Sequence, residues 1–361
     1  MRKTLRCAVV GLGRIAWEFH LPQICKQDGF ELAAVVDPSR ERREEACREF
    51  RAPKAFATLD ELLAAETPDL AVIASPSLFH TEQTIAALRH GCDVFCDKPL
   101  ALNLKDARAM FAAARGCGRK LMSYQQHRIS SEAETIRSII DSGKLGRIYL
   151  FEHHVSNYVR RNDWQAYLRN GGGMLLNYGS HYIDQLLYLL NDTAADVKSE
   201  LLRIASAGDA EDVVRALITT SRGTLLDINI NQAAALPLPE WRICGTRGAA
   251  LYSSASGQDW RLRYYLPDDL PPISADTGLA AANRRYPREN IPWHDETLSP
   301  VPADRNAYYR HCYDYFALGK PPLVKPPETL ELIRVLEECR RTASAATPKP
   351  ERESACARQI A

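Results

Sequence analysis

Leu5-Arg6-Cys7-Ala8-Val9-Val10-Gly11-Leu12-Gly13-Arg14-Ile15-Ala16 is the stretch on which the fold turns. Leu5 to Val10 is an apolar run of strand length, and it ends in the pattern G-x-G-x-x-A. Ile15 to Lys26 then reads as a helix. Gly11 permits a tight turn, Gly13 lets a pyrophosphate approach the backbone, and Ala16 allows close helix–strand packing. The helix N-terminus offers free N–H groups and a partial positive charge to phosphates.

The next apolar run, Phe30 to Val36, ends in Asp37. A carboxylate there accepts hydrogen bonds from ribose hydroxyls, so strand, glycine turn, helix, strand and acid together predict a dinucleotide site. Asp37 also repels a 2′-phosphate, which favours NAD and leaves NADP possible. Arg40, Arg42 and Arg43 just beyond soften that repulsion.

The alternation continues outward from this unit. Helices are expected over Arg40 to Phe50, Thr58 to Ala65, His80 to Arg89 and Leu104 to Arg115. Strands are expected over Asp69 to Ala74, Asp93 to Cys96 and Lys120 to Gln125. Such repeats predict a doubly wound parallel sheet, a Rossmann domain over residues 1–126. Ligands of such sheets bind beyond the strand C-termini, where Gly11, Asp37, Ser75, Lys98 and Tyr124 fall. Lys98 ends an apolar strand, and its ammonium is suited to steadying a developing alkoxide.

The length of 361 residues suits two domains. A formal net charge of +1, with no basic run interleaved with aromatics, predicts no nucleic-acid partner. The 10 cysteines are scattered, and the first strand starts too early to leave room for a targeting segment. The expectation is a cytoplasmic protein with free thiols, no membrane span and no metal site.

Four segments resemble the Gfo/Idh/MocA oxidoreductases, the family of glucose–fructose oxidoreductase and inositol dehydrogenase. They are Gly11 to Ala16, Ser75-Pro76 with His80, Asp97-Lys98-Pro99-Leu100-Ala101, and Gly171-Gly172-Gly173 through Asp184. The resemblance implies a nicotinamide-dependent dehydrogenase or reductase acting on a sugar, polyol or similar compound. Lys98 and His181 match the family's active-site lysine and catalytic histidine. Asp97 stands where the family often has Glu, and Asn177 where it commonly has Asp.

Beyond the first domain, residues 127–346 are expected to form an α+β substrate domain, with 347–361 as a loose tail. A helix over Ser131 to Ser142 precedes a strand over Arg147 to Val155. A second helix, Met174 to Leu190, carries Asn177, His181, Asp184 and Tyr188 as one polar stripe. A histidine with polar neighbours one turn away on each side is placed for proton transfer. Six further strands between Asp196 and Leu266 predict a large, mostly antiparallel sheet with one open face. Covering that face predicts a homodimer or homotetramer. Pro267 to Ala303 reads as irregular, Ala303 to Leu318 as a tyrosine-rich packing helix, and Glu328 to Ala343 as a final helix.

The residues so nominated fall into three groups. Lys98 and His181 are catalytic. Asn177, Tyr124, Trp164, Arg161 and Asp184 meet the carbohydrate-like substrate. Gly11, Gly13, Arg14, Ile15, Asp37, Arg40, Ser75, Pro76, His80, Asp97, Lys98 and Gln126 hold the cofactor. Two rivals stand beside the dehydrogenase. One is a redox-neutral enzyme that oxidises transiently with tightly bound NAD. The other is a non-catalytic NAD(P)-binding regulator.

Overall fold

The computed structural model describes residues 3–275, 277, 278, 289–304 and 306–343. Its first sheet is built from β1 (Leu5–Val10), β2 (Phe30–Val36), β3 (Ala55–Phe56), β4 (Leu70–Ile73), β5 (Asp93–Cys96) and β6 (Leu121–Ser123). The order is β3-β2-β1-β4-β5-β6 and every pairing is parallel. Covering helices on both faces explain why the central strands read as continuous apolar runs. These helices are α1 (Leu21–Lys26), α2 (Arg40–Phe50), α3 (Leu59–Ala65), α4 (His80–Arg89) and α5 (Leu104–Gly116). Ser39, Thr58 and Asn103 cap α2, α3 and α5 by accepting the N–H of Arg42, Glu61 and Asp106.

The helix expected from Ile15 to Lys26 forms, but its first turn widens. Ala16–His20 is π-helical, and the Leu21 N–H reaches back to the Ala16 carbonyl. Pro22 follows and has no N–H to give, which removes one α-type bond at that point.

The second unit opens with α6 (Ser131–Asp141), β7 (Ile148–Ser156) and α7 (Ser180–Leu190). It continues with β8 (Ala194–Leu202), β9 (Val213–Thr220), β10 (Leu225–Asn231), β11 (Trp241–Gly245), β12 (Gly248–Tyr252), β13 (Trp260–Tyr264) and β14 (His294–Leu298). The 8-stranded order is β14-β13-β12-β11-β7-β10-β9-β8. Only β7 and β10 pair in parallel. Along β10 alternate residues Leu226, Ile228 and Ile230 are buried, which fixes the face that meets the helices. The other face carries exposed Leu217 among the ion pairs Arg215–Asp227 and Arg242–Glu152.

Two features differ from the sequence reading. His294–Leu298, expected to be irregular, is an edge strand whose Asp295 takes a two-pronged ion pair from Arg263. Its residues are largely exposed, so it shows no apolar alternation to read. In addition, residues 127–346 do not stay together as one unit. Helix α8 (Ala307–Phe316) returns to the first domain and buries Tyr308, Tyr309, Tyr313 and Phe316 against Leu5, Val9 and Phe95. The expected packing role of this helix is what the structure shows. Helix α9 (Pro326–Thr342) lies against β8, α5 and α7. The tail at 347–361 lies outside the described residues.

The crossing between the domains is locked by Arg128. Its Nε and Nη2 each donate at 2.7 Å to the two oxygens of Asp184 on α7. Its Nη1 donates to Glu328 on α9 and to the Leu323 carbonyl. The guanidinium lies 4.5 Å from the ring centre of Tyr188 and is almost wholly buried. This overturns the assignment of Asp184 to substrate, because both its oxygens are held by Arg128. Asp184→Ala is expected to strand a buried cation and cost about 3 kcal/mol of stability. Urea unfolding would show this as a lower midpoint at unchanged slope.

Candidate active site

The glycine turn is shaped by what glycine lacks. Gly11 has φ +89°, and its N–H donates to the Val36 carbonyl at 2.7 Å. A Cβ at Gly11 would lie 2.6 Å from the Ser75 backbone. At Gly13 a Cβ would meet nothing within 4 Å, so this backbone faces open space where a pyrophosphate can approach. Asp37 is buried at the end of β2. It accepts from the Leu12 N–H at 2.8 Å and the Ser39 N–H at 2.9 Å. The residues present therefore fit a dinucleotide.

Among the nearby arginines, Arg42 approaches the Asp37 carboxylate, at 3.7 Å. Arg40, expected to serve the cofactor, pairs instead with Glu44 on the exposed side of α2. The N-cap at Ser39 sets this phase. It turns Arg42, whose N–H Ser39 accepts, toward the strand end.

His80 is buried under the floor of the site. Its ring nitrogens lie 2.9 Å from the Pro99 and Ser75 carbonyls, which ties the ends of β4 and β5 together. The cleft is about 350 Å³. From the first domain it is lined by Gly11, Gly13, Arg14, Ile15, Asp37, Arg42, Ser75, Pro76, Asp97 and Lys98. From the second it is lined by Trp164, Gln165, the glycine run 171–173, Leu176 and Asn177.

Lys98 bridges the two sides. Its Nζ donates to the Asn177 carbonyl at 2.8 Å and to Asn177 Oδ1 at 3.0 Å. Burial pushes the ammonium down to about 8, against the pull of Asp97 and with help from Arg14. Asn177 lies in a π-helical turn, Leu175–Gly179, that precedes α7. The continuous helix expected from Met174 is thus widened at its start. The start is held by Glu211, whose carboxylate accepts the Leu175 N–H at 3.0 Å. A negative group at a helix N-terminus is well placed there.

One turn on from Asn177, His181 is buried. Its ring stacks on His127 with centroids 4.1 Å apart and planes 23° apart. Burial, then Lys98, then His127 hold its proton affinity well below the ordinary imidazole range. Burial and Lys98 push His127 down to about 4. Lys98 is therefore the cation of this group and His181 a neutral imidazole.

Residues 5–125 match the family model described as oxidoreductase family, NAD-binding Rossmann fold, and residues 133–251 match the GFO/IDH/MocA C-terminal domain. The chain belongs to the GFO/IDH/MocA oxidoreductase family. It is 30% identical to the D-glucoside 3-dehydrogenase of Escherichia coli over 52% of this chain and 54% of that protein. The match thus spans about half the length of that relative. It is 25% identical to scyllo-inositol 2-dehydrogenase (NADP(+)) of Bacillus subtilis over 92% of each chain. Among solved structures, an NAD-binding protein from Listeria innocua superposes with a TM-score of 0.81 at 25% identity, covering 94% of this chain and 97% of that one.

Within the architecture of a GFO/IDH/MocA oxidoreductase, several nominated residues lie off the cleft. Tyr124 is buried edge-on against Phe95 and Tyr308 and beside His20, because β6 turns it into the first core. Gln126 does not line the cleft, and Asp184 faces Arg128. Arg161 reaches the site only through Gln165. Gln165 and His127 escaped the sequence reading, which named Arg42 beside Asp37 but assigned only Arg40 to the cofactor. Only the N-cap spacing at Ser39 could have singled out Arg42. Among the described residues no cluster of histidine, cysteine or carboxylates is arranged for a metal, and no helix is long and apolar enough to cross a membrane. Asp37→Asn removes the charge while keeping one acceptor. It is expected to weaken NADH about tenfold, as loss of a charge-assisted hydrogen bond would, and to strengthen NADPH by relieving the repulsion of its 2′-phosphate. Fluorescence titration of both cofactors measures this.

Proposed function

We propose that this chain is an NAD(P)-dependent dehydrogenase or reductase acting on a hydroxyl or keto carbon of a sugar, polyol or sugar derivative. The observation that carries the reading is the bridge from Lys98 to Asn177. An ammonium at the edge of the parallel sheet, in the same cleft as the glycine turn, is met from the other domain one helical turn before a neutral histidine. Bound NAD supplies the hydride acceptor. In the oxidative direction His181 takes the hydroxyl proton, and Lys98 holds the oxygen as negative charge develops on it. Asn177 cannot take a proton and serves to orient. The named substrates of the glucoside and inositol dehydrogenases support a carbohydrate-like ligand.

Nicotinamide absorbance, followed with a panel of sugars, polyols and uronic acids, tests this. One substrate class is expected to reduce the cofactor. His181→Ala should lower kcat at least a hundredfold while leaving cofactor affinity unchanged, and Lys98→Ala should abolish turnover. Parallel loss of turnover and cofactor binding would count against His181 as the base. Tight cofactor binding with no net reduction by any substrate would favour the redox-neutral reading or the regulator.

The pH dependence has a definite sign. Lys98 must be charged, and its charge is lost as pH rises through about 8. His181 must be neutral, and it stays so to well below 6.5. The oxidative kcat/KM is therefore expected to be flat from about pH 6 to 7, to reach half its plateau near pH 8 and to fall about tenfold per pH unit above. A steep fall near pH 6.5 would contradict the assignment.

The open face of the second sheet, with exposed Leu217 among charge pairs, is proposed to seat a second copy of the chain. Sedimentation of the native protein and of Leu217→Arg tests it. A native monomer would sink the idea.

A further inference from the structure

We propose that Gln165 is a positioning residue that fixes which end of the Asn177 amide faces Lys98, and through it the aim and charge of the Lys98 ammonium. The proposal rests on the reading of Lys98 as the group that holds the substrate oxygen.

A chain of hydrogen bonds runs along the cleft wall. Arg161 donates through Nη1 to Gln165 Oε1 and, at 2.8 Å, to Asp163. Asn177 Nδ2 donates to the same Gln165 oxygen at 3.1 Å. Lys98 Nζ donates to Asn177 Oδ1 at 3.0 Å. Guanidinium and ammonium carry donors only. The two ends therefore dictate the polarity of everything between them. Gln165 must turn its oxygen toward Arg161. Asn177 must then offer nitrogen to Gln165, which leaves its oxygen for Lys98. An aspartate at 177 has no N–H and would meet the Gln165 oxygen with lone pairs. The asparagine at this position, where the family resemblance leads one to expect aspartate, thus has a physical reason.

Gln165 is itself pinned on both sides. Its N–H donates to Asp163 Oδ1 at 2.9 Å, and its carbonyl accepts the Gly173 N–H at 2.9 Å. A Cβ on Gly172 would lie 2.2 Å from that carbonyl oxygen, so only glycine lets the two segments approach. Charged and titratable groups face Lys98 from several elements. They are Asp97 beside it, Arg14 from the glycine turn, His127 from the domain crossing and His181 from α7. None of those from the second domain is a carboxylate. The Asn177 oxygens are what that domain contributes to holding the ammonium.

The test is titration of Lys98 by NMR in protein carrying carbon-13 at the lysine Cε positions, assigned with Lys98→Ala. It needs neither substrate nor cofactor. The native midpoint is expected near 8. Gln165→Leu frees the Asn177 amide to turn, and the midpoint should fall by roughly one pH unit. Its kcat should fall roughly tenfold or more, with cofactor affinity unchanged. Gln165→Glu keeps an acceptor for both neighbours and should hold the native midpoint or raise it. Adding Asn177→Asp to Gln165→Leu should raise the midpoint above native. Should Gln165→Leu fail to fold, Gln165→Asn, one methylene too short, carries the same test. An unchanged Lys98 midpoint in Gln165→Leu, or identical behaviour of the leucine and glutamate variants, would overturn the proposal. If no substrate reduces the cofactor while the midpoints shift as stated, the proposed reaction fails and the positioning role stands.

Discussion

A single buried guanidinium sets the relation between the two halves of the site. Arg128 sits where the chain leaves the parallel sheet, and it binds Asp184 on α7 and Glu328 on α9 at once. A cation removed from water must be paired and hydrogen-bonded, so this position tolerates little rearrangement. Its consequence for the site is geometric. Asp184 lies one turn beyond His181, and Gln185 beside it donates to the His127 carbonyl at 2.9 Å. The helix that carries the histidine is thereby fastened to the segment that carries its stacking partner. That segment leads directly from the sheet bearing Lys98. Lysine and histidine come from different domains, yet their separation is set by one short stretch of chain and one ion pair.

The electrostatics follow from this crowding. Lys98 lowers the proton affinity of both His127 and His181, His127 lowers that of His181, and burial disfavours charge on all three. The lysine starts from the highest proton affinity and has Asp97 beside it, so it keeps the proton while the imidazoles give theirs up. On the proposed reaction, a substrate hydroxyl would meet an ammonium that donates to the developing charge and an imidazole free to take the proton. No strong acid or base is needed. The division of labour arises from placing unlike groups in one dry space.

Much of this was legible in the chain. The parallel sheet could be read because buried strands of a doubly wound fold are continuous apolar runs separated by capped helices, and Ser39, Thr58 and Asn103 supply the caps. The glycine turn, Asp37, Ser75 and Lys98 share one cleft because strand ends of such a sheet open on the same side, and Asn177 meets them from the second domain. What escaped has local causes. The edge strand His294–Leu298 is held by backbone bonds and a charge pair, so its sequence shows no alternation. Of the stripe expected on the helix from Met174 to Leu190, Asp184 and Tyr188 meet one partner, while Asn177 falls in the π-helical turn before α7. Periodicity reports that residues share a face, not what the face meets, and its lower part meets Arg128. Tyr124 and Arg40 erred in the same way: a position at a strand end or helix start does not say which way the side chain turns. Gln165 carried no signal, because its importance lies in the donors on either side of it.

The cleft is finally a structure made by omission. A side chain at Gly11 would strike the Ser75 backbone. One at Gly172 would strike the Gln165 carbonyl, and one at Gly173 the Glu211 carboxylate that holds the start of the helix. The glycine turn of the first domain and the glycine run of the second thus solve one problem twice. Each lets backbone lie against backbone, so that strand ends and helix starts meet without intervening flexible groups. The first leaves Gly13 facing open space for phosphate, and the second leaves Asn177 and Gln165 fixed opposite Lys98. Groups held in this way need little reorganisation when charge moves, which is the condition under which fixed dipoles are worth most to a reaction.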